Sequence, residues 1–171
     1  EYFNRSTNQI MTKDNNGIWL NMDGTLYSRV KILSNISQLS SIPANTIYKI
    51  VSDIDLQGKT LTIPANCTLD FQGGSFSNGT IIGSNTKIIA GLQKIFNTNV
   101  TFSGTWVLEA MYPQWFGAIG NDVNDDTISF KSMFSAFKAM KAKILIPVGI
   151  YKITEPITVS YNNGSQVSGK I

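Results

Sequence analysis

The chain has 171 residues, 42% of them hydrophobic and 15% charged, with 14 basic and 11 acidic side chains for a formal net charge of +3. That length can bury one good core, and the composition is too apolar for a disordered chain and too poor in charge for a long coiled coil. The basic residues are scattered apart from Lys138, Lys141 and Lys143, so the basic stripe of a nucleic-acid module is missing. Histidine is absent, which removes Ser-His-Asp and Cys-His catalysis and the commonest zinc sites. The single cysteine, Cys67, excludes an internal disulfide, and its apolar run Cys67-Thr68-Leu69 marks it as a small core residue. The longest run rich in apolar residues, 144–150, is far short of a membrane span. Glu1-Tyr2-Phe3 shows no initiator Met and no signal pattern, and Gly169-Lys170-Ile171 falls in strand-like sequence. The chain therefore reads as a piece of a longer polypeptide.

Residues 1–44 differ from the rest. Residues 18–27 read as two short strands around the Asp23-Gly24 turn, within polar surroundings too small to bury a core alone. This segment is expected to act as an attachment arm or to pack on a partner chain. The serine-rich stretch 34–41 suits a short helical turn before Pro43.

Residues 45–110 show only strands and turns. Strands are expected at 47–51, 61–63, 68–71, 80–82, 87–89, 94–96, 100–102 and 105–108, divided by Gly, Asn and Pro corners. Strands this short, separated by tight corners, suit a solenoid in which each coil stacks on the last. Leu69 and Ile88 lie 19 residues apart, about one coil. Leu61, Ile63, Leu69, Phe71, Phe76, Ile81, Ile88 and Phe102 are the expected inward column. Asn66, Asn78 and Asn85 are corner residues that either serve as ordinary turns or stack their amides into ladders.

Residues 111–171 contain the one strong helix, about 126–142, with Phe130, Met133, Phe134, Phe137 and Met140 on one face. Asp126 or Thr127 is expected to cap its start, and Lys138, Lys141 and Lys143 suit its C-terminal end. Residues 111–171 are expected to start a main β-helix, and such a helix would close its N-terminal end, where the unpaired backbone and apolar column of the first coil otherwise meet water.

The run Phe116-Gly117-Ala118-Ile119-Gly120-Asn121-Asp122-Val123-Asn124-Asp125-Asp126-Thr127 resembles the opening motif of the pectate-lyase-like β-helix superfamily. Ile144-Leu145-Ile146-Pro147-Val148-Gly149-Ile150-Tyr151 looks like that family's strand-turn-strand, and Pro156-Ile157-Thr158-Val159 looks like its first regular coil. The match departs at Ile119, Asn121, Asn124 and Val148, which are turn-level changes. The resemblance implies an all-β, right-handed parallel β-helix capped by the helix. Members include polygalacturonases, pectin-acting lyases, exo-β-glucanases and bacteriophage tailspikes. The extra coils over 67–83 and the arm in 1–44 are most similar to tailspikes and tail fibres. That likeness implies a homotrimer in the virion tail, contacts with other tail proteins through residues 1–44, and binding of host polysaccharide by coils after Ile171. In catalytic relatives, paired acids on later coils cut glycosidic bonds or bind Ca²⁺.

Local candidates for chemistry are few. Asp53 and Asp55 share one strand face as a carboxylate pair or a solvated edge. Asp122, Asp125 and Asp126 serve as turn and cap residues or, as the minority reading, hold a metal. Trp106, Tyr112 and Trp115 meet a glycan, a trimer partner or the core under the cap. The motif residues Phe116, Gly117, Ala118, Gly120, Asp122, Asp125, Asp126, Thr127, Pro147, Gly149 and Tyr151 are expected to be architectural. No catalytic set and no cofactor are expected within the chain. Three functions fit: a tailspike or fibre module, a secreted polysaccharide-degrading hydrolase or lyase with its active site downstream, and a non-catalytic surface adhesin.

Overall fold

The computed structural model describes residues 2–4, 9–13, 19–21, 29–40, 43–160 and 166–167. Parallel strands stack there as a β-solenoid with a single α-helix. The first face carries five rungs: Arg29–Leu33, Thr46–Ile50, Thr68–Phe71, residues 86–89 of the strand Gly79–Ile89, and residues 106–107 of the strand Val100–Val107. The second face holds Ile54–Asp55, Phe76–Ser77 and a single bridge from Phe76 to Phe96. The third pairs Thr60–Thr62 with residues 80–82, and residues 79–83 with 100–104. Among the described residues the first rung of the stack is Arg29–Leu33, inside the segment 1–44.

The coil length follows from the register. Along the first face, Arg29↔Thr46, Ile47↔Thr68, Thr68↔Lys87 and Lys87↔Val107 are successive partners. Leu69 lies opposite Ile88, so the apolar spacing of 19 is one true coil. Side chains alternate in and out along Thr46–Ile50, which is buried at Thr46, Tyr48 and Ile50. Leu61, Ile63, Leu69, Phe71, Phe76 and Ile81 line the core as expected, and Ile88 and Phe102 pack on it half-buried. Phe96 is fully buried, edge-on to Phe71 at 5.4 Å and to Phe102 at 4.7 Å, so aromatic rings tie three coils together.

Two corners are smoother than the sequence suggests. Residues 80–82 and 87–89 belong to one bent strand with a register shift between Gly83 and Thr86, and 100–102 joins 105–107 in another. Gly104 makes this bend feasible: its φ is +81°, and a Cβ there would run into the carbonyl oxygen of Gly83. Around 94–96 there is only the Phe96 bridge, because the chain crosses that face too briefly to form a ladder.

At the corner before the first face an asparagine ladder forms. Asn66 donates to Asn45 Oδ1 at 3.2 Å, and Asn85 donates to Asn66 Oδ1 at 2.7 Å. All three have φ between 52° and 59°, a left-handed conformation that asparagine tolerates. Asn45 was not among the ladder candidates. Asn78 also has a positive φ but stands at another corner, donating its N–H to Asn99 Oδ1 at 2.9 Å.

In the N-terminal part, Tyr2–Asn4, Gln9–Lys13 and Trp19–Asn21 form an antiparallel sheet, and Ile36–Ser40 is a 3₁₀ turn. Trp19–Asn21 pairs with Gln9–Lys13, while the Asp23-Gly24 turn lies outside the described residues. At the other end, Val159–Ser160 pairs antiparallel with Gln166–Val167 instead of starting a regular parallel coil.

Asn66→Ala removes both ladder bonds and places alanine in a left-handed corner. It is expected to cost about 1–3 kcal/mol, read as a lower urea midpoint at an unchanged slope. Asn66→Gly keeps the conformation and should lose less. Equal midpoints for Asn66→Ala and the parent would show that the ladder is only incidental.

Candidate functional site

The motif residues gather where the chain leaves its last rung and returns. Pro113 starts the 3₁₀ turn Pro113–Phe116, and Gly117 (φ +100°) closes it, its N–H donating to Gln114 O. The carbonyl of Trp115 accepts the N–H groups of Ile95 and Phe96, so this turn serves as the next rung on the second face. Phe116 is buried against Phe96, with centroids 5.8 Å apart.

Asp126 differs from its expected role. It stands at the N-cap of the helix Thr127–Met140, but its carboxylate makes no cap bond. It is buried, and its oxygens accept the N–H groups of Ile119 at 2.7 Å and Gly120 at 3.1 Å. Buried loop amides cost more when unpaired than amides at a helix end open to water, which explains the choice. Asp125 serves the helix start instead, accepting from Thr127 N–H at 2.9 Å and Thr127 Oγ1 at 2.5 Å. Its other oxygen accepts Thr154 Oγ1 at 2.6 Å, while Thr154 N–H donates to Thr127 Oγ1 at 2.9 Å. This clasp ties the helix to the chain after Tyr151. The hydroxyl of Thr127, followed by that of Thr154, lowers the Asp125 carboxyl to about 2.

Gly120, Gly149 and Tyr151 form a second unit. Gly120 has φ +68°, and a Cβ there would lie 2.9 Å from the Tyr151 ring. A Cβ on Gly149 would lie 3.0 Å from Gly120 O. Tyr151 donates its hydroxyl to Pro147 O at 2.9 Å, accepts from Gln114 Nε2 at 2.6 Å, and meets Phe130 edge-on at 5.3 Å. Ile150 N–H donates to Gly120 O and Asp126 N–H to Lys152 O, fixing the Asn121–Asp125 and Ile150–Lys152 pairing. Gln114 and Thr154 carry no sequence signal that would single them out.

Asp122 is exposed at φ +64°, beside a turn in which Asn121 Oδ1 accepts the N–H groups of Val123 and Asn124. Ala118 is buried next to the Asp126-bonded loop. Among the described residues no three His, Cys, Asp or Glu side chains come together as metal ligands. Asp53 and Asp55 both face outward, flanking buried Ile54; Asp53 accepts Ser75 Oγ at 2.7 Å and Asp55 accepts Gln57 N–H at 2.7 Å. Trp115 is only 3% exposed and donates Nε1 to Gly91 O at 3.0 Å. Tyr112 is half-buried on Trp115, and Trp106 is half-buried on Phe102. Tyr112 and Trp106 are thus the members of that trio with exposed edges. Tyr112 lines a shallow hollow of about 520 Å³ together with Lys87, Ile89, Val107 and Glu109. The arrangement binds polypeptide to itself: these carboxylates accept hydrogen bonds from nearby backbone and hydroxyl groups.

Because its carboxyl is lowered on folding, Asp125 adds stability above about pH 4, and that contribution is lost as the pH falls toward 2. Asp125→Asn should therefore melt below the parent at pH 6, with the gap closing by pH 2; a gap independent of pH would contradict the clasp. No protein-family model, curated protein or solved structure matches the chain.

Proposed function

We propose that the chain is a structural module of a bacteriophage tailspike or tail fibre, attaching a β-helical, host-glycan-binding spike to the virion as a homotrimer. The observation that carries this reading is the parallel pairing that continues past the helix. Ala110–Met111 pairs with Lys143–Ile144, and Asn121–Asp125 pairs with Ile150–Lys152. A stack that runs through its own capping element is suited to be a shaft, with each coil supported by its neighbours. Residues 1–44 take the role of contact with other tail proteins, and later coils take the role of polysaccharide binding or depolymerisation. No helix among the described residues is long and apolar enough to cross a membrane.

Mass spectrometry of purified virions should find this chain in the tail fraction. Light scattering of the full-length protein should give three times the mass of one chain, and a stable monomer would contradict the reading. Detection only among secreted host proteins would contradict the reading.

A further inference from the structure

The outward surfaces of the solenoid are not alike. On the third face the outward positions are Thr60, Thr62, Thr80, Ile82, Thr101 and Ser103, almost all hydroxyl-bearing. Thr80 and Thr101 share a hydrogen bond of 2.8 Å between their hydroxyls. Such a surface is satisfied by water. The first face instead shows branched apolar side chains on both sides of a charged centre. Val30, Ile32, Ile89 and Val107 are 55%, 60%, 57% and 45% exposed. Between them the register sets Lys49 beside Asp70, in the same outward column as Ile32 and Ile89. A second set of exposed apolar side chains, Ile119, Val123, Ile128, Val148 and Ile150 among them, lies over the motif; within the rungs of residues 29–107 the exposed apolar side chains gather on the first face, and such a patch marks an interaction surface.

We infer that the first face is where copies of this chain meet around the trimer axis, an inference that rests on the trimeric reading above. The charge pattern selects the occupant. Lys49, Asp70 and Lys87 place both signs on one face, and Glu109 lines a hollow together with Lys87. Among the described residues the ion pair formed is Lys131 with Glu155, and neither Lys49 nor Lys87 takes part in it. A face carrying both signs beside apolar rungs lets one edge of the face meet the opposite edge of the next copy, the heterologous contact that closes a threefold ring. The hollow between Lys87 and Glu109 lies on this face, and Leu92, 58% exposed, is close to it in sequence; together they offer a slot and a projecting side chain.

The test compares the parent with Ile89→Glu and Val107→Glu on this face and with Thr80→Glu on the hydroxyl face, each by light scattering over a concentration series. The parent and Thr80→Glu should be trimeric, and the two first-face variants monomeric with unchanged circular dichroism. A monomeric parent would overturn the trimeric reading itself. A trimeric parent whose first-face variants also stay trimeric would overturn the placement of the interface and leave the trimer standing. Should a glutamate variant fail to fold, Ile89→Cys replaces it. Oxidation should then link chains through residue 89, and Thr80→Cys should not link; Cys67, fully buried, supplies no background. Linking through residue 80 but not 89 would contradict the inference.

Discussion

Every coil of this protein depends on backbone hydrogen bonds to a segment about twenty residues away. Asn45 N–H reaches Ala65 O, Ile63 N–H reaches Ile82 O, Asn66 N–H reaches Ser84 O, and Lys87 N–H reaches Cys67 O. No rung can satisfy its own backbone, so none is stable without its neighbours. The constraint fixes the coil length, and the coil length decides which side chains stack. It places Phe71, Phe96 and Phe102 in contact and sets the corner asparagines one above another.

The same constraint explains the helix. A last coil leaves an open rung and an open apolar column. Here the 3₁₀ turn supplies Trp115 O to the amides of Ile95 and Phe96, and Phe116 continues the aromatic column. The helix then buries Phe130, Met133, Ala136 and Met140 within the same core cluster as the solenoid. The segment was expected to close the start of a later solenoid. It packs at least as much on the coils before it, and joins both sides through Asp126, Tyr151 and the Asp125 clasp.

Much of this was legible in the sequence, for physical reasons. The spacing of Leu69 and Ile88 is a direct image of one coil, because stacked residues must share the core. The apolar stripe of the helix was equally plain, although Ala136 is buried while Phe134 and Phe137 are half-buried. What could not be read was which donor each polar group chooses. Asp125-Asp126-Thr127 allows a cap from either aspartate, and only the fold brings the amides of Ile119 and Gly120 to Asp126. The bends at Gly83 and Gly104 were hidden too, since glycine and asparagine mark a corner without saying whether pairing continues through it. Asn45 bonds Asn66, one coil away, and stood outside the expected stack because it precedes the first expected strand, at 47–51.

One continuous core runs from the first rungs through the motif, and native-state hydrogen exchange reads out that continuity. With increasing denaturant, amides in Thr68–Phe71, in Gly79–Ile89 and in the helix Thr127–Met140 should open with a common free energy. A helix that exchanges at clearly lower denaturant than the rungs would show instead that the motif is a separate unit resting against the solenoid, with no shared core.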